Sequence, residues 1–386
     1  MHANQKIMVV FGTRPETIKL APVVKELQKW SNLQVVTVAT AQHRGLMDQV
    51  LHFFGIKPDF DLDIMKPNQD LFYTTQACLS GLNIVLSEIK PSMLIVQGDT
   101  TTALAAALAG FYHKIPVAHV EAGLRTATKY SPFPEEMNRR LISHLTDLHF
   151  APTLAAKANL LREGINTDSI TVTGNTSIDA LIWGCQKDLK GPIETDTSPF
   201  SKTILLTLHR RENFGAPVLN IFSAIRNFVQ RHSDYQIIFP VHPNPNIKEL
   251  ADSMLRDIPN IILIDPVDYS QMLYLMKNSH FILTDSGGIQ EEAPTLGKPV
   301  LVLRESTERP EAVEAGCAQL VGSHPELIFR MMEALADDNS GLYTQMSQKG
   351  NPFGNGTASK TIVHKIDHFL RHKEGEKNLC AELWDM

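Results

Sequence analysis

The sequence predicts an α/β protein built as two Rossmann-like domains facing each other across a cleft, and three observations carry that expectation. Short apolar runs of strand length alternate with amphipathic stretches of helix length along nearly the whole chain, the pattern of parallel sheets covered by helices on both faces. The series is interrupted once, by a polar stretch from Gly184 to Ser201 with neither periodicity, and then starts again. At 386 residues the chain is too long for one ordinary core and suits two, taking roughly 150 residues per domain. No internal repeat of solenoid period is visible.

In the first half the strand candidates are IMVVF (7–11), LQVVTVAT (33–40), SMLIVQ (92–97), PVAHV (116–120), LHFAP (148–152) and SITVT (169–173). Between them lie helix-like segments such as TIKLAPVVKELQKW, TALAAALAGFYHK and TLAAKANLLREG, the last closing on a C-cap glycine. The second series places strands at TILLTL (203–208), YQIIFPV (235–241), NIILID (260–265), HFILT (280–284), PVLVL (299–303) and AQLV (318–321). After Asn351 the segment NPFGNG breaks the pattern, and ASKTIVHKIDHFL resumes it as a last helix. The expected division is residues 1–175, a domain with most of the acid–base residues; 176–355, a ligand-binding domain; and 356–386, a helix packing back on the first domain.

Composition narrows the partners. Lys+Arg 36 against Asp+Glu 42 gives a net charge of −6, and no basic run could follow a phosphate backbone, so nucleic acid is not an expected partner. The apolar stretches fall short of the roughly 20 residues that span a bilayer. The N-terminus reaches a Gly-Thr-Arg-Pro turn too soon for a signal peptide, so neither membrane nor export is expected. Cys78, Cys185, Cys317 and Cys380 are far apart, make no C-x-x-C pair, and read as reduced and mostly buried. None of the fifteen histidines stands in an H-E-x-x-H or H-x-H arrangement, so no metal site is legible.

Ligands in such sheets bind beyond the carboxyl ends of the strands, so the residues there are the site candidates. In FGTRPETIK (11–19) an apolar strand runs through a glycine into a helix opened by Pro15, with Arg14 at the strand end and Lys19 about one turn in. The G-x-G-x-x-G fingerprint is absent, and a solvated Arg and Lys is the plain alternative. In QGDTTT (97–102), Asp99 ends a strand just before an alanine-rich helix and reads equally as an N-cap. In HVEAGLR (119–125), Glu121 stands at the next strand end without so good a capping reason. Two acidic residues at neighbouring strand ends would push each other's pKa apart, as acid–base chemistry requires.

In YSPFPEEMNRR (130–140), Glu135 with Arg139 and Glu136 with Arg140 have the i,i+4 spacing of exposed helix pairs, which needs no function. LHRREN (208–213) puts His209 and two arginines at the end of the second domain's first strand, a setting suited to phosphate. The most specific string is TDSGGIQEEAPTLGKPVLV (284–302). There the backbone N–H groups of Ser286, Gly287 and Gly288 can close on an anion between strand and helix. Glu292, about one turn in, is placed to meet ribose hydroxyls. A structural Gly-Gly turn would leave it unexplained. Arg309, after the next strand, can approach the same phosphates.

Taken together, VFGTRPETIKLAPVV, TAQHR, GDTTT, HVEAGLRT, YSPFPEEMNRR, TGNTSIDAL, HRREN and TDSGGIQEEAPTLGKPVLV resemble the non-hydrolysing UDP-N-acetylglucosamine 2-epimerases, in that family's order from about Lys6 to beyond Ile362. The resemblance implies a two-domain fold of the GT-B glycosyltransferase type and a cytoplasmic homodimer. It also implies UDP-N-acetylglucosamine and UDP as ligands, no cofactor, and a place in polysaccharide biosynthesis. It assigns UDP-sugar binding to Ser286, Gly287, Gly288, Glu292 and Arg309, with Arg14 and Arg139 from the first domain. It assigns action on the sugar to Asp99, Glu121, Glu135, Lys19 and His209. The residues at the uracil positions are Val267 and Met272. A second substrate molecule activates some members, and Gln42, Glu136, Arg210 and His242 fit that site. Gly45 stands where glutamine is expected, and KPNQ (66–69) lacks the expected arginine, which argues against activation in this chain.

The implied reaction is reversible epimerisation at carbon 2 through elimination and re-addition of UDP. A hydrolysing epimerase that releases N-acetylmannosamine and UDP, and a glycosyltransferase of the same fold, remain alternatives at this point.

Overall fold

A computed structural model describes residues 5–126, 128–193 and 200–384, with side chains to residue 373. The chain divides into two compact units, Met1–Ala180 with Gly354–Met386, and Leu181–Phe353. The division falls inside the helix Thr176–Cys185 rather than at 175/176. The polar stretch read as a linker from Gly184 is thus helical at its start, and its residues 194–199 lie outside the described ones, as does the side chain of Cys380. Cys78 and Cys317 are buried and Cys185 is half-buried, all three as free thiols.

Unit 1 is a parallel sheet of seven strands: β1 (Gln5–Phe11), β2 (Leu33–Ala39), β3 (Phe60–Asp61), β4 (Met93–Gln97), β5 (Val117–Val120), β6 (Leu148–Ala151) and β7 (Ile170–Val172). Their order across the sheet is β3-β2-β1-β4-β5-β6-β7. The central strands read MLIVQ and VAHV because helices cover both faces and every residue of β4 and β5 is buried. The two-residue edge strand β3 was not read from sequence, since so short a strand has no period to detect.

Helix Thr101–Tyr112 is alanine-rich for a packing reason. It lies on β1 and β4 and against helices Leu71–Ile89 and Glu135–Leu145, and its small side chains permit the close approach. The last helix, Ala358–Trp384, returns to unit 1 and packs on helix Arg14–Leu27. Asp179 anchors its first turn. That buried carboxylate accepts the backbone N–H of Ala358 (3.2 Å) and of Ser359 (2.8 Å) and the Ser359 hydroxyl (2.5 Å).

Unit 2 is a parallel sheet of six strands: β8 (Lys202–Thr207), β9 (Tyr235–Pro240), β10 (Ile261–Ile264), β11 (Phe281–Thr284), β12 (Val300–Val302) and β13 (Ala318–Leu320). Their order is β10-β9-β8-β11-β12-β13. One core joins Phe222, Ile225 and Phe228 of helix Ala216–Arg231 to the inward faces of β8, β9 and β11 and to helix Pro325–Ala336. In each unit the order doubles back once, between β1 and β4 and between β8 and β11. Among the described residues no helix is long and apolar enough to cross a membrane.

Asp179→Ala would leave two backbone donors and a hydroxyl of the last helix without their acceptor. We expect a loss of about 1–3 kcal/mol in urea unfolding, with faster amide exchange confined to the first turns after Ala358.

Candidate active site

At the carboxyl edge of sheet 1 the chain leaves β1 through Gly12, where no side chain fits: a Cβ there would lie 2.1 Å from Thr40 Oγ1 and 2.5 Å from Thr102 Oγ1. The next turn brings in Glu16, fully buried, whose carboxyl accepts the N–H of Gly12 (3.0 Å) and the hydroxyls of Thr13 (2.8 Å) and Thr100 (2.6 Å). Thr100 caps helix Thr101–Tyr112 by accepting the N–H of Ala103. Glu16 therefore ties the turn after β1 to the turn after β4. Burial pushes its carboxyl up to about 7 in spite of those hydrogen bonds.

With Thr100 as the cap, Asp99 is released from the capping role that its position allowed. Its backbone carbonyl accepts Asn138 Nδ2 (2.8 Å), and its carboxylate accepts Arg139 Nη2 (2.6 Å). Arg139 is buried at 9 % exposure and pairs with Asp99 and, at 3.6 Å, with Glu136, whereas its i,i+4 neighbour Glu135 makes no ion pair with it among the described residues. The reading of these residues as an exposed helix surface is corrected accordingly. Only Glu136–Arg140 forms as spaced, at 2.8 Å, and Glu136 itself is buried.

Glu121 follows β5 with φ of 65°, a left-handed conformation uncommon for a residue with a Cβ. Its carboxylate pairs with Lys19 and accepts Gln97 Nε2 and Asn175 Nδ2, the last at 3.1 Å. Three chain segments, the helix after β1, the end of β4 and the turn after β7, thus converge on one side chain. Desolvation raises the Asp99 carboxyl above the ordinary carboxylate range. Arg139 opposes this, while the charges of Glu121 and Glu135 add to it. Asp99 keeps 28 % of its side chain exposed, so it remains open to a ligand. His119, beside Glu121, is structural: burial pushes it down to about 3, and its Nε2 meets the Gly98 carbonyl at 2.7 Å.

In unit 2 the corresponding edge gathers His209, Arg210 and the turn after β11. Asp285, with no exposed surface, accepts the backbone N–H groups of His209 and Arg210, both at 2.9 Å, and Asn213 Nδ2 at 3.0 Å. It also faces His209 Nδ1 at 2.9 Å. Burial acts to raise the Asp285 carboxyl, but its bonds with His209 and the two backbone groups outweigh that and hold it below its ordinary value.

Ser286 precedes the short helix Gly287–Glu292 without spending its hydroxyl on capping it. A Cβ on Gly287 would lie 3.7 Å from the Arg309 guanidinium and 3.9 Å from Arg210 Nη2, so two cations flank this turn. Arg309 is held by Glu291 at 2.5 Å, and Glu292 is buried beside it in sequence. Val267 and Met272, half-buried, lie just before and within helix Tyr269–Asn278. Among the described residues no group of three or more His, Cys, Asp or Glu side chains could hold a metal ion.

The family described as UDP-N-acetylglucosamine 2-epimerase matches residues 25–367. A UDP-N-acetylglucosamine 2-epimerase of Bacillus subtilis is 52 % identical over 370 residues, covering 96 % of this chain and 97 % of that one. The chain belongs to the UDP-N-acetylglucosamine 2-epimerase family. A solved structure of the Neisseria meningitidis enzyme bound to UDP-GlcNAc matches with a TM-score of 0.85 at 49 % identity, covering 94 % of this chain and 99 % of that one. That of a Listeria monocytogenes relative matches with a TM-score of 0.90 at 45 % identity, covering 96 % and 98 %. The likeness extends, as fold alone, to Acinetobacter baumannii MurG, at a TM-score of 0.57 and 15 % identity.

Of the residues that the epimerase resemblance connected with a second bound substrate, Gln42 and Glu136 belong to unit 1, and Arg210 and His242 to unit 2. Gln42 accepts the Thr102 hydroxyl at 3.0 Å and, through its carbonyl, Gln69 Nε2. Both Glu136 oxygens are engaged, by Arg140 and by the N–H of Thr126. His242 lies 6.4 Å from His209, ring to ring, and is lowered by burial and by that neighbour. Gly45 is exposed with open space around it, so no packing demand excludes a side chain there.

Sequence reasoning missed Glu16, Gln97, Asn175, Asp285 and Glu291. Only Asp285 and Glu291 left a signal, as charged residues inside the most specific motif.

Glu16 makes stability depend on pH. Its folded pKa near 7 exceeds the ordinary 4.5, so the folded chain holds this proton more tightly than the unfolded one. The contribution is complete below pH 4.5 and is lost as pH rises through 7, on the order of 3 kcal/mol in all. Denaturation midpoints between pH 5 and pH 8 are expected to fall more steeply for the native chain than for Glu16→Gln.

Proposed function

We propose that the chain interconverts UDP-N-acetylglucosamine and UDP-N-acetylmannosamine by eliminating UDP and adding it back to a 2-acetamidoglucal, without net hydrolysis. The hydrogen on carbon 2 of the sugar is not adjacent to a carbonyl, so a carboxylate cannot remove it directly. Cleavage of the bond from carbon 1 to the phosphate oxygen places positive character on the ring and acidifies that hydrogen. The carbon–hydrogen pair then becomes the ring double bond, the carbon–oxygen pair leaves with UDP, and the proton rests on a carboxylate. Return of UDP to carbon 1 with a proton delivered to the opposite face of carbon 2 completes the epimerisation.

The observation that carries this reading is the unequal pair at adjacent strand ends. Glu121 is held by Lys19, Gln97 and Asn175, while Asp99 is raised by burial and by its acidic neighbours. Two carboxyls set apart in this way suit one giver and one taker of protons. Glu135 is the third carboxylate in range of Asp99's field, and Lys19 tunes Glu121. In unit 2, His209, Arg309 and the Ser286–Gly288 turn are the groups we assign to holding the departing diphosphate. Names of relatives across nearly the full chain, and a UDP-GlcNAc-bound relative, support the same substrate.

Proton NMR of the protein with UDP-N-acetylglucosamine in deuterated water, with nothing else added, tests the reaction. Both UDP-sugars carrying deuterium at carbon 2 is the expected result. Free N-acetylmannosamine with UDP would replace it with the hydrolysing reaction. Asp99→Asn is expected to stop exchange at carbon 2 while leaving UDP affinity nearly unchanged, as read by calorimetry. An Asp99→Asn enzyme that still exchanges would remove Asp99 from the proton transfers.

A further inference from the structure

We infer that Asp285 is a positioning residue for the reaction, fixing His209 in its Nδ1–H form with Nε2 as the ring nitrogen left to act on the leaving diphosphate. This rests on the proposed elimination of UDP. The geometry is independent of it. Asp285 is the first residue after β11, and His209 stands two residues beyond the end of β8, so the pair spans the point where the order of sheet 2 doubles back.

The carboxylate has no exposed surface, and both of its oxygens are committed. Oδ1 faces His209 Nδ1, and Oδ2 accepts the N–H of His209, the N–H of Arg210 and Asn213 Nδ2. A carboxylate held by that many donors stays ionised and can only accept, so the proton between it and the imidazole belongs to Nδ1. With Nδ1 occupied, the chemistry of a ring that is 40 % exposed falls to Nε2. Neutral, Nε2 takes a proton. Protonated, it donates to a phosphate oxygen as the carbon–oxygen bond breaks, and the buried negative charge behind it stabilises the imidazolium. Arg210, the next residue in the chain, and His242, 6.4 Å away ring to ring, stand near His209, and Asp285 is the carboxylate that faces its Nδ1.

The same residue serves the anion turn. Asp285 runs directly into Ser286, whose N–H is tied to Thr284 Oγ1 at 2.9 Å, while the hydroxyls of Thr284 and Thr207 meet at 2.6 Å across the strand pair. One buried carboxylate therefore sets the histidine and the start of the Ser-Gly-Gly turn from a single backbone position. Asn213 completes the frame by donating also to the Leu303 carbonyl at 3.1 Å.

Three measurements test this. Nitrogen-15 NMR of the histidine side chains in the ligand-free protein, with His209 assigned by loss of its signal in His209→Gln, reads the tautomer directly. Nδ1–H is expected, and Nε2–H would overturn the inference even if Asp285→Asn does not fold. Asp285→Asn is expected to lower kcat by about 100-fold or more and change UDP affinity far less. In a His209→Gln background the same substitution is expected to cost less than about threefold, because a residue acting through His209 has nothing left to act on. Equal losses in both backgrounds, or a parallel fall in UDP affinity and kcat, would make Asp285 merely structural. Failure of the native enzyme to exchange deuterium at carbon 2 would instead sink the proposed reaction and leave the tautomer result standing.

Discussion

Parallel strands cannot be joined by tight turns, so each hands the chain to a crossover at its carboxyl end. Where successive crossovers leave in opposite directions the sheet edge carries an opening that no helix fills. Here that happens between β1 and β4 and again between β8 and β11. The Gly12–Glu16 and Gly98–Thr100 turns meet at the first opening, and Asp285 bonds the turn after β8 to the turn after β11 at the second. The chemistry-bearing residues follow from this constraint. A residue one to three positions past a strand end is held by rigid backbone, whether it keeps exposed surface, as Asp99 and His209 do, or is buried, as Asp285 is.

Charge placed at such an edge is expensive unless it is paired, and the protein answers differently at each carboxylate. Glu121 is surrounded by donors drawn from three segments. Asp285 is saturated by backbone and side-chain N–H groups and is stabilised as an anion. Glu16 has three donors but no cation among its hydrogen-bond partners, and it moves toward the neutral form. Asp99 lies between these cases, with one arginine against burial and two acidic neighbours. A raised carboxyl beside a fully engaged one is an asymmetry that identical solvation could not produce. It arises from which neighbours the topology delivers, since Lys19 comes from the helix after β1 and Arg139 from the helix after β5.

The architecture was legible because period, length and breaks of the apolar runs are local properties. The strands read at 92–97 and 280–284 differ from Met93–Gln97 and Phe281–Thr284 by one residue at the start. The site was legible only where local context stood in for distant contacts. Asp99 and Glu121 could be found as acids at strand ends. Whether Asp99 capped its helix depended on the Thr100 hydroxyl, and whether Arg139 faced solvent depended on β4, forty positions away. Glu16 looked like an ordinary first-turn glutamate, because its burial is made by Thr100 and Gly12 closing over it. Gln97 and Asn175 lie inside quoted motifs but are uncharged, and only the fold brings both to one carboxylate.

Each unit also settles its own charges internally. Unit 1 keeps Asp99, Glu121 and Glu135, and spends Lys19 and Arg139 on them. Unit 2 gathers His209, Arg210, Arg309 and the Ser286–Gly288 amides, and spends Asp285 and Glu291 behind those cations. In both sets the counter-charge is buried more deeply than the group it holds or comes from a neighbouring element, so each functional group is oriented without being consumed. Asp285 and Glu291 are the plainest cases: both are buried, and the histidine and arginine that they hold retain more exposed surface. A carboxylate placed outside those cations would compete with any anionic ligand. Placed behind them, it orients them and leaves their outer faces open.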